Sequence, residues 1–185
     1  MSTTSFRFLI RDGLESDIAA CLALDHSYET DHVWQMSVKQ DTGQWSVMFK
    51  TERLPRTLDT EYPVEEKRLK AAIPADQCFV VAVGRDDPEV FGYLGMRSDP
   101  ANGIALIEDV VVDRGFRRQR IGSRLVTIAH QWTQEHGLRQ FMIQTRTKNY
   151  PGIQFAQALG FTFCGFNDQY FENQDIAVLF GMPVR

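Results

Sequence analysis

Three arginines and a glycine crowd the run Arg117-Arg118-Gln119-Arg120-Ile121-Gly122-Ser123. The run follows an apolar stretch ending in Val110-Val111-Val112. After it, Ile121, Leu125, Ile128, Ala129 and Trp132 recur at the spacing of one helical face. Gly122 therefore stands where a helix begins. A helix start presents unpaired N–H groups and the positive end of the helix dipole, which together suit an anion. Small residues let an anion approach the backbone, and arginine adds forked contacts. The plainer alternative is a solvated basic loop capping the strand.

A second set of candidates lies just upstream. Glu108 and Asp109 interrupt the otherwise apolar residues 104–112. A carboxylate there is costly without a role, and Glu108 is the better candidate for accepting a proton. Strand side chains alternate, so Asp109 is expected on the opposite face, with only one of the two in a given cleft. A structural acid paired with a basic residue is the alternative for both. Cys21, Cys78 and Cys164 lack metal-ligand spacing and read as buried free thiols, which favours a reducing, cytoplasmic setting. His26, His32, His130 and His136 form no cluster, so no metal is expected. Trp34 and Trp45 could line a pocket, but a hairpin packed on the core explains them. Asp25, Glu29 and Asp31 read as a solvated acidic face, and Phe161, Phe163 and Phe166 as core strand residues.

These residues must be positioned by the elements around them. Residues 6–11 read as a strand and residues 15–24 as a helix that Ser16 or Asp17 could cap. Residues 33–38 and 45–54 are rich in strand formers around a turn at residues 39–44. Pro55 and Pro63 then punctuate the chain, and Pro63 opens a short helix that Pro74 ends. Residues 78–84 form a continuous apolar run, the mark of a buried strand, followed by a turn at residues 85–88. Strands follow at residues 90–96 and 104–112, with a turn at residues 100–103 between them. A helix ending near Gly137, a strand at residues 141–145, a helix at residues 151–159 and strands at residues 161–166 and 176–180 complete the order. This is a mixed α/β domain over residues 1–185, with an irregular hairpin insertion around residues 26–74 and its sheet flanked by helices.

Bulk properties narrow the function classes. The 185 residues are 43% hydrophobic and 24% charged, with a net charge of −4, so a nucleic-acid footprint is not expected. Neither a signal-peptide core nor an apolar run long enough for a membrane span is present in the sequence.

The loop from Arg117 to Gly122, the preceding Val-rich strand, Asn149, the segment QFAQALGF and the tail CGFNDQYFENQDIAVLF together resemble the GNAT superfamily of acetyl-CoA-dependent N-acetyltransferases, and its streptothricin-acetyltransferase-like branch. The resemblance implies a central, mostly antiparallel mixed sheet in which two parallel strands, residues 110–112 and 141–145, splay apart. It implies that acetyl-CoA, as co-substrate, lays its pantetheine arm between them. Backbone N–H groups at Val110 and Val112, beside Val111, would then hold the arm, one of them polarising the thioester carbonyl. The pyrophosphate would rest on Arg117, Arg118, Gln119, Arg120, Ile121, Gly122 and Ser123. Asn149 and Phe155 would touch the arm, although Asn149 could equally cap a helix before Pro151.

Two positions depart from the family pattern. Arg120 stands where the family has its first glycine, so binding is expected with altered loop geometry. Ala156 stands where many members have the tyrosine thought to protonate the leaving thiolate. Tyr170 and Tyr150 are the candidates to replace it, with water as the alternative. The acceptor amine must lose a proton before it attacks, and Glu108 is the expected base. The expected reaction is direct acetyl transfer to a primary amine of a small molecule. Acetylation of a protein α-amine or lysine, or a non-catalytic acyl-CoA-binding module, are the alternatives. The resemblance also allows a homodimer.

Overall fold

The structure, a computed structural model, describes residues 7–85 and 89–184. The expected turn at residues 85–88 therefore lies, beyond Arg85, outside the described residues, as does Phe6 of the first expected strand. In chain order the elements are β1 (Phe8–Asp12), a 3-10 turn (Glu15–Asp17), α1 (Ile18–Leu22), β2 (Ser27–Asp41), β3 (Gln44–Glu61), α2 (Glu66–Ala71), β4 (Cys78–Gly84), β5 (Val90–Asp99) and β6 (Ile104–Val112). A second 3-10 turn (Arg114–Phe116) leads into α3 (Ile121–Glu135), β7 (Gln140–Arg146), α4 (Tyr150–Ala158), β8 (Thr162–Asn167) and β9 (Ala177–Pro183). Among the described residues a seven-stranded sheet runs β1-β4-β5-β6-β7-β9-β8, and β2 pairs with β3 as a separate ribbon. The β6–β7 pair is parallel and its neighbours are antiparallel. This is the mixed sheet flanked by helices that the sequence led us to expect.

The long apolar runs follow from burial on both faces of the sheet. In β4, Cys78, Val80 and Ala82 pack with Leu125, Ala129 and Ile153 on the α3–α4 side. The alternate residues Phe79, Val81 and Val83 pack with Ile18, Cys21 and Leu69 on the α1–α2 side. Asp17 does not cap α1 with its side chain, which accepts from the Leu14 N–H at 2.8 Å at the start of the 3-10 turn. It also accepts from both terminal nitrogens of Arg11, at 2.7 and 2.8 Å. No helix of the described residues is long and apolar enough to cross a membrane.

The insertion is more regular than expected. β2 and β3 form one long hairpin from Ser27↔Glu61 to Asp41↔Gln44, turning at Thr42 and Gly43. Gly43 has φ +74°, the left-handed conformation that a tight hairpin turn demands. Pro55 does not end the strand. The ladder jumps from His32↔Arg53 to Thr30↔Leu58, so Pro55 falls in a bulge where no ladder N–H is required. Trp34 packs on Phe49, Phe163 and Phe180 midway along the hairpin, whereas Trp45 near its tip is 67% exposed.

Candidate active site

The parallel pair β6–β7 is hydrogen-bonded only from Ile104↔Gln140 to Ile107↔Ile143. Beyond it the strands diverge, although β7 remains fully paired with β9 on its other side. The divergence starts at a β-bulge. Opposite β6, the register of β5 shifts between Gly95↔Asp109 and Met96↔Ile107, leaving Glu108 as the extra residue. The gap leaves strand-edge backbone groups without a ladder partner, and an extended ligand could add to them as a strand.

The bulge also corrects the expected alternation. Ala105 and Ile107 lie in the α3–α4 core, but past the bulge Val110 and Val112 face that side while Val111 faces α1–α2. Asp109 is on the α1–α2 side, where Arg68 clasps it through Nε and Nη2, both at 2.7 Å. Glu108 pairs at 3.2 Å with Arg97, which follows Gly95 by two residues, and Gly95 faces Ala72 and Asp109. The two carboxylates therefore share one side of the sheet, with different roles. Asp109 is 1% exposed and also accepts from the Tyr62 hydroxyl at 2.7 Å, so it is a structural acid. Glu108 lines a cavity of about 680 Å³. Burial holds its carboxyl above the usual carboxylate range, against the pull of Arg97.

The other end of this cavity is the start of α3. Arg118 and Arg120 have φ of +66° and +64°, both left-handed. Such kinked backbone aims successive N–H groups inward as an anion-binding concavity. Arg120 is the residue before the first helical turn, and its side chain makes no capping bond. The N–H groups of Ile121, Gly122 and Ser123 open the helix, and all three residues line the cavity with Arg118 and Arg120. Gly122 packs against the Phe155 ring, which a Cβ added there would meet at 3.3 Å. A non-glycine residue in the left-handed region costs about 1 kcal/mol or more. Arg120→Gly is therefore expected to raise the melting temperature by about 2–4 °C, read by thermal unfolding, while weakening anion binding through loss of the guanidinium.

Most of the residues singled out by sequence meet at this cavity. Val110, Val111, Val112, Asn149 and Phe155 line it. Asn149 also caps α4, its side-chain oxygen accepting from the Gly152 N–H at 3.0 Å. Arg117 lines the cavity too, but its guanidinium is engaged: Nε donates to the Val112 carbonyl at 2.9 Å and Nη2 to the Asp25 carbonyl at 3.3 Å. It ties the strand end to the loop. Gln119 is not on the cavity wall. Of the expected acidic face, Glu29 pairs with Arg114 just ahead of the loop, and Arg114 reaches Ser27 and Asp59 as well.

The two tyrosines proposed as proton donors are not brought to the cavity. Tyr150 begins α4 and sets its ring tilted against His32 at 5.3 Å, and Tyr170 is 41% exposed in the β8–β9 connection, edge-on to Phe171. Neither is among the lining residues, while Ala156 is wholly buried. The base of the hairpin instead supplies His26, Tyr28 and Tyr62, which the sequence reading missed. His26 and Tyr28 are two apart in extended chain and so share a face. Tyr62 joins them through its N–H to the His26 carbonyl, at 3.3 Å. The only sequence signal was that alternation, hidden in a segment read as irregular.

Comparison with known proteins agrees with this layout. The profile of the Acetyltransferase (GNAT) family matches residues 43–161. Streptothricin acetyltransferase of Streptomyces lavendulae is 25% identical over 173 residues, spanning 93% of this chain and 91% of that protein. Among solved structures, nourseothricin acetyltransferase superposes with a TM-score of 0.80 at 22% identity, over 96% of this chain and 99% of the other. A Bacillus anthracis protein assigned as a streptothricin acetyltransferase, in complex with acetyl coenzyme A, superposes with a TM-score of 0.78 at 22% identity, over 97% and 99% of the two chains. The chain belongs to the acetyltransferase (GNAT) family and is an N-acetyltransferase.

Proposed function

We propose that this protein transfers an acetyl group from acetyl-CoA to a primary amine of a small molecule, by direct attack with both substrates bound. The observation that carries the proposal is the polarity of one continuous cavity. Arg118, Arg120 and the start of α3 form its basic end, and Glu108 with Tyr28 and Tyr62 forms the other. The basic end suits a pyrophosphate and the far end a cationic amine. The donor fits the residues present: the left-handed backbone at Arg118 and Arg120 opens N–H groups, and Gly122 leaves space where a side chain would block them. In this reading the pantetheine arm lies along β6 at Val110 and Val112, beside Asn149 and Phe155.

Glu108 takes the proton that the amine must lose. Its partner Arg97 is 60% exposed, so water can carry that proton away. A small-molecule acceptor is supported by the similarity to streptothricin acetyltransferase along nearly the whole chain. It is also supported by the hairpin base, whose residues His26, Tyr28 and Tyr62 wall the acceptor end.

The test is thiol release from acetyl-CoA by the purified protein with streptothricin, simple alkyl diamines and short peptides as separate acceptors. Acetylated small amines by mass spectrometry are the expected result. Release with peptides alone would favour a protein α-amine or lysine as acceptor. CoA binding without thiol release across the whole panel would favour a non-catalytic acyl-CoA-binding module.

A further inference from the structure

We propose that the Tyr28 hydroxyl receives the departing CoA sulfur as a hydrogen-bond donor that keeps its own proton. The inference rests on the acetyl-transfer reading above and supplies the group which that reading lacks. As the new C–N bond forms and the C–S bond breaks, the electron pair of the latter goes to sulfur. The acceptor enters as an ammonium and sheds two protons, one through Glu108 to water before it attacks and one to the same carboxylate as the amide forms. The sulfur later takes one back from water, so one proton is released per turnover. A donor aimed at the sulfur stabilises the charge that develops there.

Among the tyrosines and the histidine that line the cavity, one is left to be this donor. Ala156 has no proton to offer. Of the two cavity tyrosines, Tyr62 already donates to Asp109 at 2.7 Å. His26 is occupied on both ring nitrogens, by the Leu24 carbonyl at 2.7 Å and the Tyr93 hydroxyl at 3.2 Å. Tyr28 is different. The residue is only 9% exposed, yet its hydroxyl bonds to no described residue and is not sealed from solvent. Tyr28 also lines the cavity.

Position supports the same assignment. The charges that act on Tyr28 are those of Arg146 and Asp175, at the end of β7 and ahead of β9. Those that act on Glu108 are Arg97, Asp109 and Arg68, on the β5–β6 side. Tyr28 on β2 and Glu108 on β6 thus line the same cavity from different elements, one for the sulfur and one for the nitrogen. Burial raises the Tyr28 phenol above its ordinary value of about 10, whereas an alkyl thiol ionises near about 8.5. Full proton transfer from phenol to thiolate is therefore uphill, and the phenol stays a donor throughout the working range.

Tyr28→Phe tests this, with two readouts. In the first, kcat falls about ten- to hundredfold by the same factor from pH 6 to pH 9, while CoA affinity and melting temperature stay near the parent's. An unchanged kcat, a loss confined to the acceptor KM, or a factor that varies with pH would overturn the proposal. The second needs no acceptor: thiolate absorbance gives the thiol pKa of CoA bound to each protein. The value is expected to be about one unit lower in the parent than in Tyr28→Phe, and equal values would overturn the proposal. Parent protein that binds CoA but acetylates no amine would fail the acetyl-transfer reading and leave this second readout to decide on Tyr28. Parent protein that binds no CoA would overturn both.

Discussion

Gly122→Val is expected to lose CoA affinity by a factor of a hundred or more without losing the fold. Gly122 is the second residue of α3, where N–H groups have no helical partner. A Cβ at this position would lie 3.3 and 3.4 Å from two atoms of the Phe155 ring and 3.6 Å from Val112. One methyl is tight there but can be accommodated. The two further methyls of valine must enter the space between the helix start and the cavity, where the pyrophosphate is proposed to rest. Hydrogen bonds to a charged group contribute about 1.5–3 kcal/mol each, so two lost contacts correspond to a hundredfold or more. Gly122→Ala is expected to lose only severalfold, because its methyl reaches Phe155 and stops. Glycine also weakens a helix relative to alanine, so the backbone gains slightly in that variant. Calorimetric titration with CoA, beside thermal unfolding, separates the two effects. Parent-like affinity in Gly122→Val would remove the anion from this helix start.

How much of the site could be read from sequence depends on the range of the forces that built it. β4 and β6 were found to the residue because each is buried on both faces, so a local apolar run records the burial directly. The loop before α3 was legible for a similar reason, since a helix start needs only its own residues. The bulge at Glu108 was not. It is set by how β6 pairs with β5, and nothing in residues 104–112 alone reports that pairing. Strict alternation therefore sent Asp109 to the wrong face. The hairpin base was hidden in the same way. Pro55 reads locally as a strand breaker, and only the pairing with β2 turns it into a bulge residue.

The choice of tyrosines carries the same lesson into chemistry. Tyr150 and Tyr170 were named as candidates from their places in the chain, at the start of the last helix and between the last two strands. Folding selects by space instead, bringing Tyr28 and Tyr62 from far upstream to the cavity that the start of α3 also lines. The left-handed arginines add a converse case. Arg120 departs from the family's glycine in identity, yet it keeps the conformation that makes glycine the natural occupant. Side-chain identity there alters the strain and charge of the loop while the direction of its N–H groups is kept.

Glu108→Gln is expected to cut kcat by about a hundred- to ten-thousandfold, the usual range for removing a positioned base. The amide keeps the shape of the side chain but cannot take the amine's proton. Burial raises the Glu108 pKa, so the acid limb of the parent's rate lies above the ordinary carboxylate value of about 4.3. Activity is lost as pH falls through that raised value, because the base becomes protonated. In Glu108→Gln this limb vanishes, and the rate follows only the ionisation of the free amine. Stability moves the other way. A carboxyl with a raised folded pKa binds its proton more readily in the folded state, so its ionisation weakens folding as pH rises above the unfolded value. Removing that ionisation is expected to leave the melting temperature at neutral pH equal to or above the parent's. Arg97 loses its partner in the variant, but it is 60% exposed and water replaces the carboxylate. A kcat profile from pH 5 to pH 9 with one amine acceptor, beside melting curves over the same range, checks both directions. A variant that kept the parent's rate and acid limb would mean that the amine loses its proton to water or to another group, with Glu108 serving only to anchor Arg97.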